Sequence, residues 1–140
     1  MDLVEQLRRD EGVRYTPYLD SLGFSTVGCG HKILPDEHFV YPMTDGEVNK
    51  LLLSDIRDKQ LQLAAFPWFV TLDDCRAAAV TNMAFNVGVH GLLGFPHAIS
   101  AIAAQDWQTA HDELLDSKWA TQVKARATRI ATQILTGEWQ

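Results

Sequence analysis

The chain has 140 residues, enough for one domain or for two small lobes that share a helix. Its 46% hydrophobic and 21% charged residues exclude a disordered tail, and no apolar run approaches the roughly 18 residues that span a bilayer. A net charge of −6 argues against nucleic acid as the main partner.

In chain order, Asp2-x-x-Glu5 reads as a capping box that opens a helix with Leu3, Val4 and Leu7 on its apolar side. Gly12 suits the position just past its end, so the helix should stop near Glu11. The amino terminus has no basic stretch leading into an apolar one, so the expectation is a protein made in a cytoplasm and kept there until something releases it. From Val13 to His31 aromatic and β-branched residues are broken by glycines, which predicts short strands and tight turns, with Gly23 as the turn point. Residues 32–43 carry Pro35 and Pro42 without a clear period and read as loop.

Thr44-x-x-Glu47 is a second capping box. Val48, Leu51, Leu52, Ile56 and Leu63 follow at helical spacing and predict an amphipathic helix of about 20 residues that Pro67 stops. Its place between a β-rich piece and an all-helical remainder suits a connector. Thr71-x-x-Asp74 opens a helix that is apolar nearly all round, through Ala77, Ala78, Ala79, Val80, Met83 and Ala84, as the centre of a helical lobe should be. Gly88 and Gly91 should end it. Pro96 starts a helix to Ala104, Asp106 caps another through Leu115, and a last one runs from Lys124 to Leu135 and closes at Gly137.

Ser117 to Gly137 contains no acid but four bases, Lys118, Lys124, Arg126 and Arg129. This is either a solvated helix face or a docking patch for an anionic polymer. Cys29 and Cys75 belong to no paired spacing and read as buried thiols in a reducing compartment. His38, His90, His97 and His111 are scattered, and the chain has no His-Glu-x-x-His, Gly-x-Ser-x-Gly or phosphate-loop pattern. No metal or other cofactor is expected.

Glu11, Asp20 and Thr26 remain as candidates. The dipole at the carboxyl end of a helix disfavours negative charge on Glu11, which suits a proton donor. Asp20 and Thr26 lie three residues to either side of Gly23, so a hairpin centred there would set them opposite each other. An acid facing a second carboxylate is what glycoside cleavage needs. Spacing alone favours the plainer reading of solvated helix-end and turn acids.

The pattern Glu11, Asp20, Thr26, followed by Val27-Gly28-Cys29-Gly30-His31, resembles the active-site signature of the phage-type lysozymes, glycoside hydrolase family 24. The resemblance continues through Asn82-Met83-Ala84-Phe85-Asn86-Val87-Gly88, Gly94-Phe95, Trp107, Ser117-Lys118-Trp119, Arg126-Ala127-x-x-Arg129 and Thr136-Gly137-x-Trp139. It implies a mostly helical α+β fold with two lobes and a substrate cleft between them. On this reading residues 13–43 form the β-rich lobe, 45–66 the connecting helix, and 67–140 with 1–11 the helical lobe.

The resemblance also implies hydrolysis of the β-1,4 bond between N-acetylmuramic acid and N-acetylglucosamine in peptidoglycan. Glu11 would be the general acid, Asp20 the second carboxylate and Thr26 the positioner of a water, with inversion at the sugar. Phe85, Asn86, Gly30 and Ile33 would contact substrate, an ion pair would join His31 to Asp55, and Arg126 would pack behind Glu11. The expected setting is a monomer in a host cytoplasm that reaches the wall at lysis, with help from a separate holin and no membrane insertion of its own. The chain departs from the family at Lys32, Ala98 and Glu113, in a short stretch between His31 and Thr44, and in its acidic charge. Rival readings are a lytic transglycosylase acting on the same bond and an inactive wall-binding lysozyme fold.

Overall fold

A computed structural model describes all residues, Met1–Gln140. Helix α1 (Leu3–Glu11) leads into strands β1 (Arg14–Leu19), β2 (Ser25–Gly28) and β3 (His31–Lys32), then helix α2 (Asp45–Leu63). Six further helices follow: α3 (Pro67–Val70), α4 (Asp74–Leu92), α5 (Pro96–Ala103), α6 (Trp107–Leu115), α7 (Lys118–Val123) and α8 (Ala125–Thr136). This is the mostly helical α+β fold expected. The chain divides into two compact units, Val4–Asp58 and Met1–Leu3 with Lys59–Gln140. Most of α1 thus groups with the sheet, whereas the sequence reading put residues 1–11 with the later helices.

The sheet unit is built on the antiparallel order β1-β2-β3. Thr26, Val27, Gly28 and Cys29 are all buried, and a Cβ on Gly28 would touch the side chains of Val48 and Leu51 at 3.7 and 3.8 Å. The inner face of β2 therefore rests on α2, whose Val48, Leu52 and Ile56 are also buried. Each such side chain contributes on the order of 1.5–3 kcal/mol. The amino terminus of α2 is capped as predicted: Thr44 Oγ1 accepts from the Glu47 amide, and a Glu47 carboxylate oxygen accepts from the Thr44 amide, both at 3.1 Å. Arg8 of α1 reaches Asp45 Oδ1 at 2.7 Å and Asn49 Oδ1 at 2.6 Å, and the Tyr15 hydroxyl donates to the same Asp45 oxygen at 2.8 Å. These bonds tie the end of α1, the start of β1 and the first turn of α2 together.

The register of the hairpin corrects one expectation. Tyr18, not Asp20, stands opposite Thr26, and Leu19 stands opposite Ser25. The Asp20 amide donates to the Phe24 carbonyl at 2.9 Å, so the hairpin is centred on Leu22 rather than Gly23. Gly23 supplies the positive φ of 85° that the turn requires. The short strand β3 was not anticipated. It pairs Thr26 with Lys32 and Val27 with His31, and the Ile33 amide extends the edge to the Ser25 carbonyl at 2.9 Å.

In the helical unit, α4 carries buried Ala78, Ala79, Val80, Met83 and Ala84, as its apolar sequence predicts. Around it lie Ile102, Leu114, Trp119, Ile130 and Ile134. Three boundaries differ from the sequence reading. Helix α2 ends at Leu63, and Pro67 opens the short α3 instead of stopping α2. Asp73, not Thr71, caps α4, by accepting the Arg76 amide at 2.9 Å. Gly88 does not end α4 but kinks it, with φ 80° and ψ 160°, before a last turn to Leu92. Helix α7, capped by Ser117, is an element the sequence reading lacked. Asp106 and Gly137 cap α6 and α8 as expected. No helix is long and apolar enough to cross a membrane.

Candidate active site

The sheet unit brings together Glu11, Asp20, Thr26, Gly30, His31, Ile33 and Asp55. Glu11 is the last residue of α1, half-buried, and Gly12 turns the chain away with φ 75°. Gly30, with φ 69°, passes directly beside the acid: a Cβ there would lie 3.0 Å from Glu11 Oε2. Only glycine fits both the backbone and the gap, so the turn between β2 and β3 is one wall of the seat of the Glu11 carboxylate.

Asp20 is fixed by its own turn. Its Oδ1 accepts the Leu22 amide at 2.9 Å and the Phe24 amide at 2.8 Å. An Asx-type turn of this kind folds the hairpin and orients the carboxylate at once. Thr26 is buried at 2% exposure, and its hydroxyl donates to the Phe24 carbonyl at 2.9 Å. With its single proton committed, Thr26 Oγ1 can act toward a water only as an acceptor.

Tyr18, which the sequence places in the same pattern but not among the candidate site residues, stands two residues before Asp20 and pairs with Thr26. Burial pushes its phenol above the usual range, and the charge of Glu11 adds to this, then that of Asp20. Arg14, whose guanidinium lies 4.9 Å above the ring, acts the other way. The aromatic side chain therefore sits in the field of both candidate carboxylates.

His31 binds Asp55 through Nδ1 at 2.7 Å, the ion pair expected from the resemblance. Its Nε2 binds Glu37 Oε1 at 2.8 Å, a second partner that was not foreseen. The hydrogen bond to Asp55, and after it that to Glu37, hold the imidazole pKa up at about 9 against the opposing effect of burial. Glu37 is held below the usual carboxylate range despite partial burial, by the Leu34 amide and by His31. Ile33 is half-buried on the sheet edge, and the ammonium of neighbouring Lys32 lies 4.5 Å over the Phe24 ring.

The other predicted residues belong to the helical unit. Phe85 is half-buried and Asn86 exposed near the end of α4. Asn86 Oδ1 accepts the Trp119 indole N–H at 2.7 Å, so the amide orients that ring. Arg126 is buried in α8 and donates from Nε and Nη2 to Asn82 Oδ1 at 3.0 and 2.8 Å. Its burial removes it from any solvated face, so the basic run from Lys118 to Arg129 is not one exposed patch. Ala98 and Glu113, the two departures noted above, line a single cavity of about 330 Å³ with Phe95, His97, Lys118 and Trp119. Cys29 and Cys75 are buried free thiols, and burial pushes both above the usual thiol range. That makes them poor nucleophiles.

A mostly helical α+β fold with a glutamate at the end of α1 and an aspartate in the hairpin turn of the same unit is the arrangement expected of the lysozyme class of glycoside hydrolases. The chain matches the phage lysozyme family over residues 8–132 and belongs to it. It is 32% identical to the pre-baseplate central spike protein of Enterobacteria phage T4, over 98% of this chain and 28% of that protein. It is 27% and 26% identical to the T4-type lysozymes 1 and 2 of Dictyostelium discoideum, over 95% and 96% of this chain and 93% and 94% of theirs. The chain thus spans less than a third of the spike protein and nearly all of the two lysozymes.

Proposed function

We propose that the chain hydrolyses the β-1,4 bond between N-acetylmuramic acid and N-acetylglucosamine in peptidoglycan, with inversion at the anomeric carbon. The carrying observation is the seat of Glu11 against Gly30 in the same unit as a turn-fixed Asp20. Glu11 donates its proton to the leaving oxygen. Asp20 draws a proton from a water, which attacks the opposite face of the sugar. Thr26 Oγ1 accepts a hydrogen bond from that water and so turns a lone pair toward carbon. Phe85 and Asn86 contribute to sugar binding.

Separate secondary elements for the two carboxyl groups support inversion, which works with carboxyl groups about 6.5–9.5 Å apart, whereas direct attack needs about 5–5.5 Å. Proton NMR of the first reducing ends released from purified peptidoglycan tests this. An initial α-anomer is expected, and Glu11→Gln should release no ends. An initial β-anomer overturns both inversion and the role of Thr26, and 1,6-anhydro ends would identify a transglycosylase.

The biological setting proposed is host lysis: a monomer made in the host cytoplasm that meets the wall once a separate membrane-permeabilising protein opens the way. The similarity to a phage spike protein favours a second setting, a lysozyme carried on the virion that opens the wall at entry. Assay of purified virions against the soluble lysate separates the two.

A further inference from the structure

The loop after β3 is short, yet it carries an arrangement that the reaction chemistry leaves unused. His31 lies between two carboxylates, Asp55 of α2 at 2.7 Å and Glu37 of the loop at 2.8 Å. Ionised carboxylates only accept hydrogen bonds, and a neutral imidazole carries one N–H. Two such contacts at these distances are therefore satisfied together only by the imidazolium, which donates from both ring nitrogens. The three side chains are largely shielded, at 12% exposure for His31, 26% for Glu37 and 21% for Asp55.

We propose that Glu37 is a positioning residue for Glu11: its carboxylate closes a carboxylate–imidazolium–carboxylate clamp that holds the β2–β3 turn, and with it Gly30, against the acid. The chain of contacts is short. Glu37 Oε1 also accepts the Leu34 amide at 2.8 Å, and the Glu37 amide donates to the Leu34 carbonyl at 3.0 Å. Residues 34–37 thus form a closed turn with one carboxylate oxygen facing inward. That oxygen takes His31 Nε2, and Phe39 adds a ring edge-on to the imidazole, with centroids 6.0 Å apart. His31 is bonded to Gly30, whose Cβ position would lie 3.0 Å from Glu11 Oε2. Asp55 fixes His31 to α2, while Glu37 fixes the loop to His31. Without Glu37 the loop is released from His31, which is then held by Asp55 and the β2–β3 pairing alone, so Gly30 is seated less firmly against the acid.

The groups whose charge bears on His31 are Asp55 and Glu37. Lys32, next in the chain, has its ammonium over Phe24. The raised imidazole pKa of about 9 agrees with a doubly held cation. Loss of that cation at high pH breaks one of the two bonds, so the clamp should also set the alkaline limit of activity. The catalytic part of the proposal rests on Glu11 being the acid; the clamp itself does not.

The test is nitrogen-15 NMR of the His31 ring in the full chain, with activity on purified peptidoglycan measured from pH 5 to 10. In the wild type both ring nitrogens should be protonated at pH 7.5. In Glu37→Gln the His31 midpoint should fall by about one pH unit, the alkaline limb of kcat should move down with it, and KM should change less than kcat. Glu37→Asp, which keeps the charge but withdraws it, should fall between. A single protonated ring nitrogen in the wild type at pH 7.5 overturns the clamp, and so does an unmoved midpoint in both variants. A midpoint that moves while the kcat profile stays put overturns the positioning role. The ring signals do not depend on catalysis, so a wild type without hydrolytic activity would count against the assigned reaction and leave the clamp standing on its own data.

Discussion

Gly30 is where sequence, backbone and chemistry meet in one residue. Its φ of 69° is costly for any side chain, and a Cβ would press on Glu11 Oε2 at 3.0 Å. Carboxylate or turn must then shift by a few tenths of an ångström. Proton transfer to a glycosidic oxygen is sensitive to such misplacement. Gly30→Ala should therefore lower kcat at least tenfold at an order-of-magnitude stability cost of only 1–2 kcal/mol. Parallel urea melts and wall-digestion rates check this, and a variant of full activity would show that Gly30 does not set the seat of the acid. The resemblance named Gly30 as a substrate contact, but the geometry makes it first a neighbour of the acid. Glu11, Asp20 and Thr26 could be named as candidates from the chain only through the resemblance, not through their spacing. Their arrangement was not legible: the Asp20 carboxylate caps its own turn and moves the hairpin centre to Leu22, which sets Tyr18 opposite Thr26.

Local caps made some helix ends legible, but not the start of α4, where Asp73 and not Thr71 is the cap, nor α7, which Ser117 caps. Thr44 with Glu47, Asp106 and Gly137 each bond within three or four residues and behave as read. Six-residue α7 shows no full apolar period, and β3 has two residues, so neither leaves a pattern to find. Long-range caps were also hidden. Arg76 of α4 donates from Nε to the Ile134 carbonyl at 2.6 Å and from Nη2 to the Leu135 carbonyl at 3.2 Å, and so closes the carboxyl end of α8. The same guanidinium lies 4.2 Å over the Trp107 ring and pairs with Asp73 at 2.9 Å. A planar fork with several donors can serve all of these at once, and an ammonium cannot. Arg76→Ala should cost about 2–4 kcal/mol, because it leaves orphaned carbonyls and an unbacked indole. Arg76→Lys should recover less than half of that. Urea midpoints for the two variants decide; equal midpoints for Lys and the wild type would reduce Arg76 to a simple charge.

At the scale of the whole molecule, the titration of His31 links the integrity of the sheet unit to pH. Its folded pKa of about 9 lies above the unfolded value of roughly 6.5. The stability it provides is therefore complete below about pH 6.5 and is lost as pH rises through 9. Glu37 works in the opposite sense. Its folded pKa is lowered, so its contribution is complete above its ordinary value near 4.5 and is lost as pH falls through the folded one. The two windows overlap between about pH 4.5 and 6.5, where both contributions to stability are complete. The pair of His31 with Asp55 was foreseen from the resemblance, but Glu37 was not, because it lies in the aperiodic loop where the chain departs from its family. His31→Asn should accordingly destabilise most near pH 5.5, by about 3 kcal/mol at the order of magnitude set by the shift. The loss should shrink steadily toward pH 9.5. Thermal melts of both proteins at half-unit steps measure the difference directly. A deficit of the same size at every pH would mean that His31 supports the fold by packing alone and that its charge plays no part.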